Sequence, residues 1–322
     1  PLSPPPPTPA KSTLYSSSAA SDVYKRQGLN RWLGGIENPR TGRESEGVGT
    51  VRMTSKPKSV MVVGAGPAGL QAAIAARRNG HQVTVYEKEE VAGGQVRLAA
   101  SVPNRAEFGD MIRNQLTECR RLGVEFQYGI GVWPGLVEEK RPDHVIVATG
   151  AEAARPYWVP EGVENVVDVR QVLDGSAQVF GDVVVIDEIG FHHATSTAEV
   201  LADRGCNVEV ITQGMVVGQD LGITLDMENW WIRAGEKGIE QTTDLVPMAM
   251  EWRTLTLLHH PTGTNVTRTP DWVVLAVHAN PVEWLYRDLK AAGVSVERVG
   301  DCVAPRRAHA AVVEGERAGA AV

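Results

Sequence analysis

Cysteine is scarce in this chain: three of 322 residues, Cys119, Cys206 and Cys302, lie far apart. Such spacing supplies neither a disulfide framework nor a metal-ligand cluster. It fits a reducing compartment, so a cytoplasmic location is expected. Positive charge is also short, with 32 Lys and Arg against 39 Asp and Glu and a net charge of −7. That balance gives no reason to expect nucleic acid or an anionic membrane as a partner. Nor does any apolar run approach the length of a bilayer span. What is present is a 43% hydrophobic content, in a chain long enough for two ordinary domains.

The first 27 residues carry no periodicity that could bury a face. "PLSPPPPTPAKSTLYSSSAA" is rich in proline and serine, and a disordered N-terminal leader is expected. It lacks the basic start and apolar core of a signal peptide. Asp22 to Gln27 can be encoded as GAT GTG TAT AAG AGA CAG, which resembles a transposase end sequence used in preparing sequencing libraries. Residues 1–27 are therefore read as a sequencing artefact, and residues 28–55 as a linker.

The stretch "SVMVVGAGPAGLQAAIAARRNGHQVTVYEKE" has every part of a dinucleotide-binding crossover. Val60 to Val63 predict a buried strand, Pro67 to Asn79 an amphipathic helix closed by Gly80, and Gln82 to Tyr86 a second strand. Gly64, Gly66 and Gly69 form G-x-G-x-x-G between them. Gly64 makes the tight turn, Gly66 admits a pyrophosphate because it has no Cβ, and Gly69 lets helix and strand pack closely. Gly64, Ala65, Gly66, Pro67 and Ala68 are thus candidate phosphate-site residues at a helix N-terminus. Glu87, twenty-three residues after Gly64, is placed to accept hydrogen bonds from adenosine ribose hydroxyls.

Two further segments favour FAD over NAD in this first unit. In "VAGGQVRLAA", Gly93, Gly94 and Gln95 could bring backbone close to an extended cofactor. In "VERVGDCVAPRRAHAAVVEGERAGAA", Gly300 and Asp301 fall at a strand end before a helix of small residues. An acid there can hold ribityl hydroxyls while the helix N-terminus faces the flavin or its phosphates. "HVIVATG", His144 to Gly150, predicts a buried strand with a glycine exit and adds Ala148 and Gly150 to the set. Between these motifs, Asn104 predicts the cap of a helix, with Glu107 completing a capping box and Gly123 ending it. Arg113 on that helix is a candidate phosphate partner, or equally a solvated surface arginine.

The order fingerprint, GGQ, ATG, GD resembles the two-dinucleotide-domain flavoprotein reductases over nearly all of residues 56–322. The resemblance implies an α/β fold with two Rossmann-like dinucleotide-binding domains, the second inserted in the first, of glutathione-reductase-like FAD/NAD(P) type. Residues 56–178 and 281–322 would form the FAD- or ADP-binding domain, and residues 179–280 the second.

The second crossover, "GDVVVIDEIGFHHATSTAEVL", keeps the outline and loses the glycines. Aligned on the strands Val60–Val63 and Val183–Ile186, Asp187 takes the first glycine position, Ile189 the second and His192 the third. A carboxylate about 4 Å from a phosphate charge costs roughly 4 kcal/mol at an effective dielectric near 20. The following strand, Asn207 to Ile211, ends in Thr212 and offers no acid for an NAD ribose. A degenerate NAD(P) site is expected. His192 and His193 read as capping or surface residues, with no metal site. Trp230 and Trp231 read as a helix anchoring the second core, and His259 and His260 as part of a hairpin.

"GGIENPRTGRE", Gly34 to Glu44, precedes the fingerprint. It resembles the segment joining the flavin barrel to the dinucleotide domains in Old Yellow Enzyme-like multidomain oxidoreductases. That group includes trimethylamine dehydrogenase, 2,4-dienoyl-CoA reductase and FadH-type enzymes of mycofactocin gene clusters. Its pattern is C-x-x-N-P-x-x-G-x-E, in which the cysteine is the last ligand of a [4Fe–4S] cluster. Asn38, Pro39, Gly42 and Glu44 match, but Gly35 stands at the cysteine position, so this chain is expected not to hold the cluster. "DLGITLD" (Asp220 to Asp226) and "VGDCVAPRRA" (Val299 to Ala308) resemble the same group.

The resemblance implies a parent with an N-terminal (β/α)₈ barrel carrying FMN and the substrate site. The present chain would then be an FAD-binding electron-transfer module of an amine-dehydrogenase-like or enoate-reductase-like NADH:flavin oxidoreductase, with an electron-transfer protein as a further partner. No catalytic residue is assigned, since substrate chemistry would belong to the barrel. Two other readings remain open: a structural ADP-binding module, since trimethylamine dehydrogenase keeps ADP at the first site, and a stand-alone NAD(P)H-dependent FAD reductase.

Overall fold

The computed structural model describes residues 35–322, so the leader assigned to residues 1–27 and the start of the linker lie outside the described residues. From Gly35 to Gly47 the chain makes successive turns and one short 3₁₀ helix, Glu44–Glu46. The regular fold then begins with β1 (Ser59–Val63), α1 (Pro67–Arg78), β2 (Gln82–Tyr86), α2 (Gln95–Ser101), α3 (Phe108–Leu122), β3 (Glu125–Gln127), α4 (Pro134–Lys140), β4 (His144–Val147) and β5 (Ala151–Ala153). It continues with β6 (Val166–Asp168), α5 (Val169–Asp174), β7 (Asp182–Asp187), α6 (His192–Asp203), β8 (Asn207–Thr212), α7 (Met227–Glu236) and β9 (Glu240–Thr242). A meander of β10 (Leu245–Glu251), β11 (Thr254–His259) and β12 (Thr264–Arg268) leads to β13 (Trp272–Ala276) and β14 (Ala279–Pro281). The chain ends with α8 (Trp284–Ala291), β15 (Val296–Arg298) and α9 (Ala308–Ala321).

Two five-stranded parallel sheets result, in the orders β15-β4-β1-β2-β3 and β6-β13-β7-β8-β9. Because β15 and α9 return to the first sheet, the second unit is inserted within the first. The antiparallel pair β14 and β5 carries the two crossing segments side by side, with Ala279 opposite Ala153 and Pro281 opposite Ala151. Both sheets are covered on both faces, which is why β1, β4, β7 and β13 read as unbroken apolar runs. In the second sheet α5, α6 and α7 cover one face and the β10-β11-β12 meander contributes to the core on the other.

Helices α1 and α9 meet closely because the contact is built from small residues. A Cβ on Gly315 would lie 2.2 Å from the Ala68 carbonyl oxygen, and one on Gly319 would lie 2.2 Å from that of Ala72. Across this seam Gln71 Nε2 donates to Glu316 Oε2 at 2.7 Å, so the buried acid is satisfied.

Three features differ from the sequence reading. Strand β6 pairs with β13, Val166 beside Val273, so the second sheet recruits residues before the boundary drawn at 178 and 179. Asn104 does not cap a helix: it takes a positive φ of 60°, successive turns follow through Arg105 and Ala106, and α3 starts at Phe108 with Glu107 as its N-cap and no side-chain cap bond. Trp230 is buried in the second core, whereas Trp231 is 40% exposed, since neighbours on a helix point about 100° apart. The β11–β12 hairpin does carry His259 and His260 into its turn.

Candidate functional site

The parallel β1 delivers its C-terminal end to a turn that several segments enclose. Gly64 has φ of 105°, and a Cβ there would sit 2.4 Å from the Ala148 carbonyl oxygen, so the turn lies directly against the exit of β4. Gly69 faces Gly64 in turn: its Cβ would be 1.9 Å from the Gly64 oxygen. Gly66 is different, because a Cβ placed there would meet nothing within 4 Å. Its bare face opens at the N-terminus of α1, where amides without helical partners point outward. The GGQ turn approaches the same place, as Gly93 N–H donates to the Ala65 carbonyl at 2.9 Å. A Cβ on Gly94 would lie 3.4 Å from Gly66 Cα.

Glu87 closes the end of β2 and is 7% exposed. Its carboxylate accepts the Ala65 N–H at 2.7 Å and the Glu89 N–H at 3.0 Å. A carboxylate offers about four lone-pair positions, so two stay available for a diol. On the far side, Gly300 stands against α1, its Cβ position 2.7 Å from the Ala68 Cβ. Asp301 accepts Gln95 Nε2 at 3.1 Å and the Arg306 N–H at 3.0 Å. Burial raises its pKa, opposed by the Arg306 backbone bond, the Arg170 cation, the Gln95 bond and the Arg306 cation. Gly150 has φ of 75°, and its carbonyl accepts the Val282 N–H at 3.0 Å.

The structure therefore brings Gly64, Ala65, Gly66, Pro67, Ala68, Glu87, Gly94, Gln95, Ala148, Gly150, Gly300 and Asp301 together. Arg113 is not among them. Its side chain is 68% exposed and pairs with Asp110 at 2.7 Å on its own helix, so the solvated reading holds for it. Absent from the sequence reading is Arg170, which belongs to the second unit; His193, read as a capping or surface residue, is exposed at the start of α6. Arg170 Nη1 donates to the Ala151 carbonyl at 2.5 Å, next to Gly150. His193 is exposed at its surface, yet partial desolvation of the ring, with the Arg170 and Arg105 cations nearby, lowers its pKa to about 4. His193 is therefore neutral at pH 7. Arg170 sits in no local motif, and only folding of the insertion shows where it lies.

At the second crossover the loop after β7 is closed from inside. Asp187 is 1% exposed, and its carboxylate accepts the N–H groups of Gly190 at 2.8 Å and Gly218 at 2.9 Å, with Ile189 as a further donor. Burial raises its pKa and those backbone bonds oppose the rise. The amides that would face a pyrophosphate already hold an anion belonging to the chain. His192, also at this helix start, is desolvated to a pKa of about 3, with surrounding cations acting in the same direction. Among the described residues no cluster of three or more His, Cys, Asp or Glu side chains is placed to hold a metal. None of the described helices is long and apolar enough to cross a membrane.

The family model of the pyridine nucleotide-disulphide oxidoreductases matches residues 58–186. The N,N-dimethylglycine/sarcosine dehydrogenase of Chromohalobacter salexigens is 31% identical over 88% of this chain and 46% of its own length. A multifunctional alkene reductase/demethylase of Caballeronia cordobensis is 28% identical over the same shares, 88% and 46%. Among solved structures, the 6-hydroxypseudooxynicotine amine oxidase of Pseudomonas geniculata N1 superposes with a TM-score of 0.85 at 25% identity, over 92% of this chain and 47% of that one. The chain belongs to the trimethylamine dehydrogenase and 2,4-dienoyl-CoA reductase-like family of oxidoreductases. It spans about half the length of these relatives. Within that family it is a module of the flavin-dependent oxidoreductase type.

Proposed function

We propose that the first unit binds FAD and that the chain passes electrons within a larger flavin-dependent oxidoreductase. The observation that carries this reading is the bare face of Gly66 at the start of α1, flanked by Gly94 and completed by Glu87 at the end of β2. A dinucleotide is the ligand class whose pyrophosphate needs that approach and whose ribose needs that acid. The reading extends beyond ADP because Asp301 and Gln95 stand paired at the end of β15, on the other side of the α1 N-terminus from Glu87, where an adenosine diphosphate has no group to offer. FAD, when bound, supplies an isoalloxazine that takes up and releases electrons.

The chain's own residues bind and orient. Gly66 and Ala68 present backbone to the pyrophosphate, Glu87 accepts from the ribose, and Asp301, held by Gln95, accepts from ribityl hydroxyls. The second unit, in this reading, takes no nicotinamide dinucleotide, because Asp187 fills its amide loop. The parent would carry an FMN barrel and a [4Fe–4S] cluster, with an electron-transfer protein as partner. Its substrate would be an amine or an alkene, the chemistries named for the relatives. Gly35 offers no thiolate to a cluster.

Reconstitution tests this. The chain should retain about one FAD per polypeptide after desalting, and heat-released ligand should elute as FAD on chromatography. Release of ADP alone supports the structural module instead. Rapid bleaching of the flavin by NADH or NADPH would overturn the assignment of the second unit.

A further inference from the structure

The inserted unit places one basic side chain, Arg170, against the segment that follows the Gly150 turn of the first. Arg170 lies in the first turn of α5, whose N-cap Asp168 accepts the N–H groups of Arg170 at 2.7 Å and Gln171 at 3.3 Å. That cap completes a box with Gln171 and fixes the helix start. Helix α5 packs against α2, the helix that begins with Gln95. From there the Arg170 guanidinium reaches back to the Ala151 carbonyl at 2.5 Å, beside the Gly150 turn. It acts electrostatically on Asp301, which Gln95 Nε2 holds at 3.1 Å.

We propose that Arg170 is a positioning residue for the cofactor site of the first unit: its guanidinium braces the Gly150 turn and keeps the Asp301 carboxylate as a hydrogen-bond acceptor for a ribityl chain. This deepens the FAD reading and rests on it. Asp301 is partly buried, and that desolvation favours the protonated acid. A protonated Asp301 would present a donor where the ribityl hydroxyls need an acceptor. Two cations face it, Arg170 from α5 and Arg306 from the loop before α9. Arg306 is shared, since its guanidinium pairs with Glu314. Around Arg170 stand the acids Asp168 and Glu152, and also His193, which is neutral above about pH 4. Burial lowers the Arg170 pKa and Asp168, Asp301 and Glu152 oppose the fall, so the guanidinium, which starts far above neutrality, keeps its charge in the working range.

ADP lacks the ribityl chain, so the role separates two ligands that share one fingerprint. The experiment compares wild type with Arg170→Met and Arg170→Lys in the full chain. Two readouts are taken: carboxyl-selective ¹³C NMR titration of Asp301 without ligand, and FAD and ADP affinities between pH 5.5 and 8. Arg170→Met should move the Asp301 midpoint upward and weaken FAD about tenfold, more so at the acid end. ADP affinity should stay within twofold, and Arg170→Lys should restore part of the FAD loss. An unmoved Asp301 midpoint overturns the proposal, as does equal weakening of FAD and ADP, which would mark a merely structural arginine. If the wild-type chain itself takes ADP and refuses FAD, the FAD reading fails first and this proposal with it, whatever the variants do.

Discussion

The units of β1–α1–β2 and β7–α6–β8 are the same object built twice, with the loop after the first strand exchanged. Both place their first strand at the centre of a five-stranded parallel sheet and follow it with a twelve-residue helix. Counted from the strands, Gly64 and Gly66 fall opposite Asp187 and Ile189, and α6 then starts at His192, two residues later than α1 does on the same count. The first keeps its acid, Glu87, one strand away, where it takes the Ala65 amide and leaves the face of Gly66 bare. The second draws the acid onto the loop itself, where Asp187 holds the amides of Gly190 and Gly218. On the proposed reading the second loop takes no external anion because its donors already have an acceptor from the chain.

The largest effects should come from the helix–strand spacing that the glycines set. At Gly69 a Cβ would have to share space with the Gly64 carbonyl, so Gly69→Ala should destabilise the first unit by about 3 kcal/mol. Gly69 is the third residue of α1; the third residue of α6, Ala194, already carries a buried Cβ, and Ala194→Gly should lose only about 1–2 kcal/mol. Urea unfolding monitored separately in each unit measures both; equal losses would mean that the two spacings do not differ. Gly66→Ala sharpens the contrast within the first unit. Its new methyl meets no protein atom, so folding stability should hold within about 0.5 kcal/mol. FAD affinity should nonetheless fall about a hundredfold, the equivalent of roughly 2.7 kcal/mol of ligand-side overpacking. Isothermal titration read against the melting curve separates the two.

The next effect lies at Asp187. Asp187→Ala leaves three amides without an acceptor and should cost the second unit about 2 kcal/mol, by denaturant unfolding. It should not create NADH affinity, because the Ile189 side chain still stands where a glycine would be. The pH dependence of the two units should run in opposite senses. Burial raises the Asp187 pKa in the fold, so its contribution is full below the unfolded carboxyl pKa and is lost as pH rises through the raised value. Glu118 of the first unit is held at about 2, by its Arg121 hydrogen bond first and against some burial, with Arg78 helping. Its contribution is present above about pH 4.5 and disappears as pH falls towards 2. Hydrogen exchange of α3 and β7 amides across pH 2.5–6, corrected for intrinsic rates, should show protection moving in opposite directions. Glu118→Gln and Asp187→Asn should each flatten their own unit only.

How far the sequence could be read follows from the range of each signal. The fingerprint, the GD pair and the lost glycines are local: a few consecutive residues dictate the backbone, and the backbone dictates the site. Asp187 was legible as an obstacle to phosphate but not as a ligand of its own loop, because Gly218 arrives from after β8. A boundary at 178 and 179 leaves β6 outside the second unit, because the three residues Val166, Val167 and Asp168 carry no periodicity to say which sheet they join. Arg170 reads as an ordinary helix-start arginine until α5 is docked on α2. Arg113 shows the converse: its helical placement is right, yet the face it occupies points to Asp110 and solvent.

The smallest effect concerns how the two units are held together. Arg307, just before α9, pairs with Asp220 at 3.0 Å and lies over the Phe191 ring at 4.5 Å, so one side chain of the first unit touches the loop network of the second. Asp220 N–H donates to the Gly190 carbonyl at 2.7 Å, which ties this contact to the same loop that Asp187 fills. Both charged partners are about half exposed, so solvent screens the pair and its coupling should stay below about 1 kcal/mol. The cation over the ring adds an amount of the same order. A double-mutant cycle of Arg307→Ala and Asp220→Ala should therefore report a small coupling, with FAD release accelerated no more than about fivefold. A larger acceleration with unchanged stability would mean that the retired unit controls cofactor exchange through its orientation, and that its filled loop is the fixed end of that control.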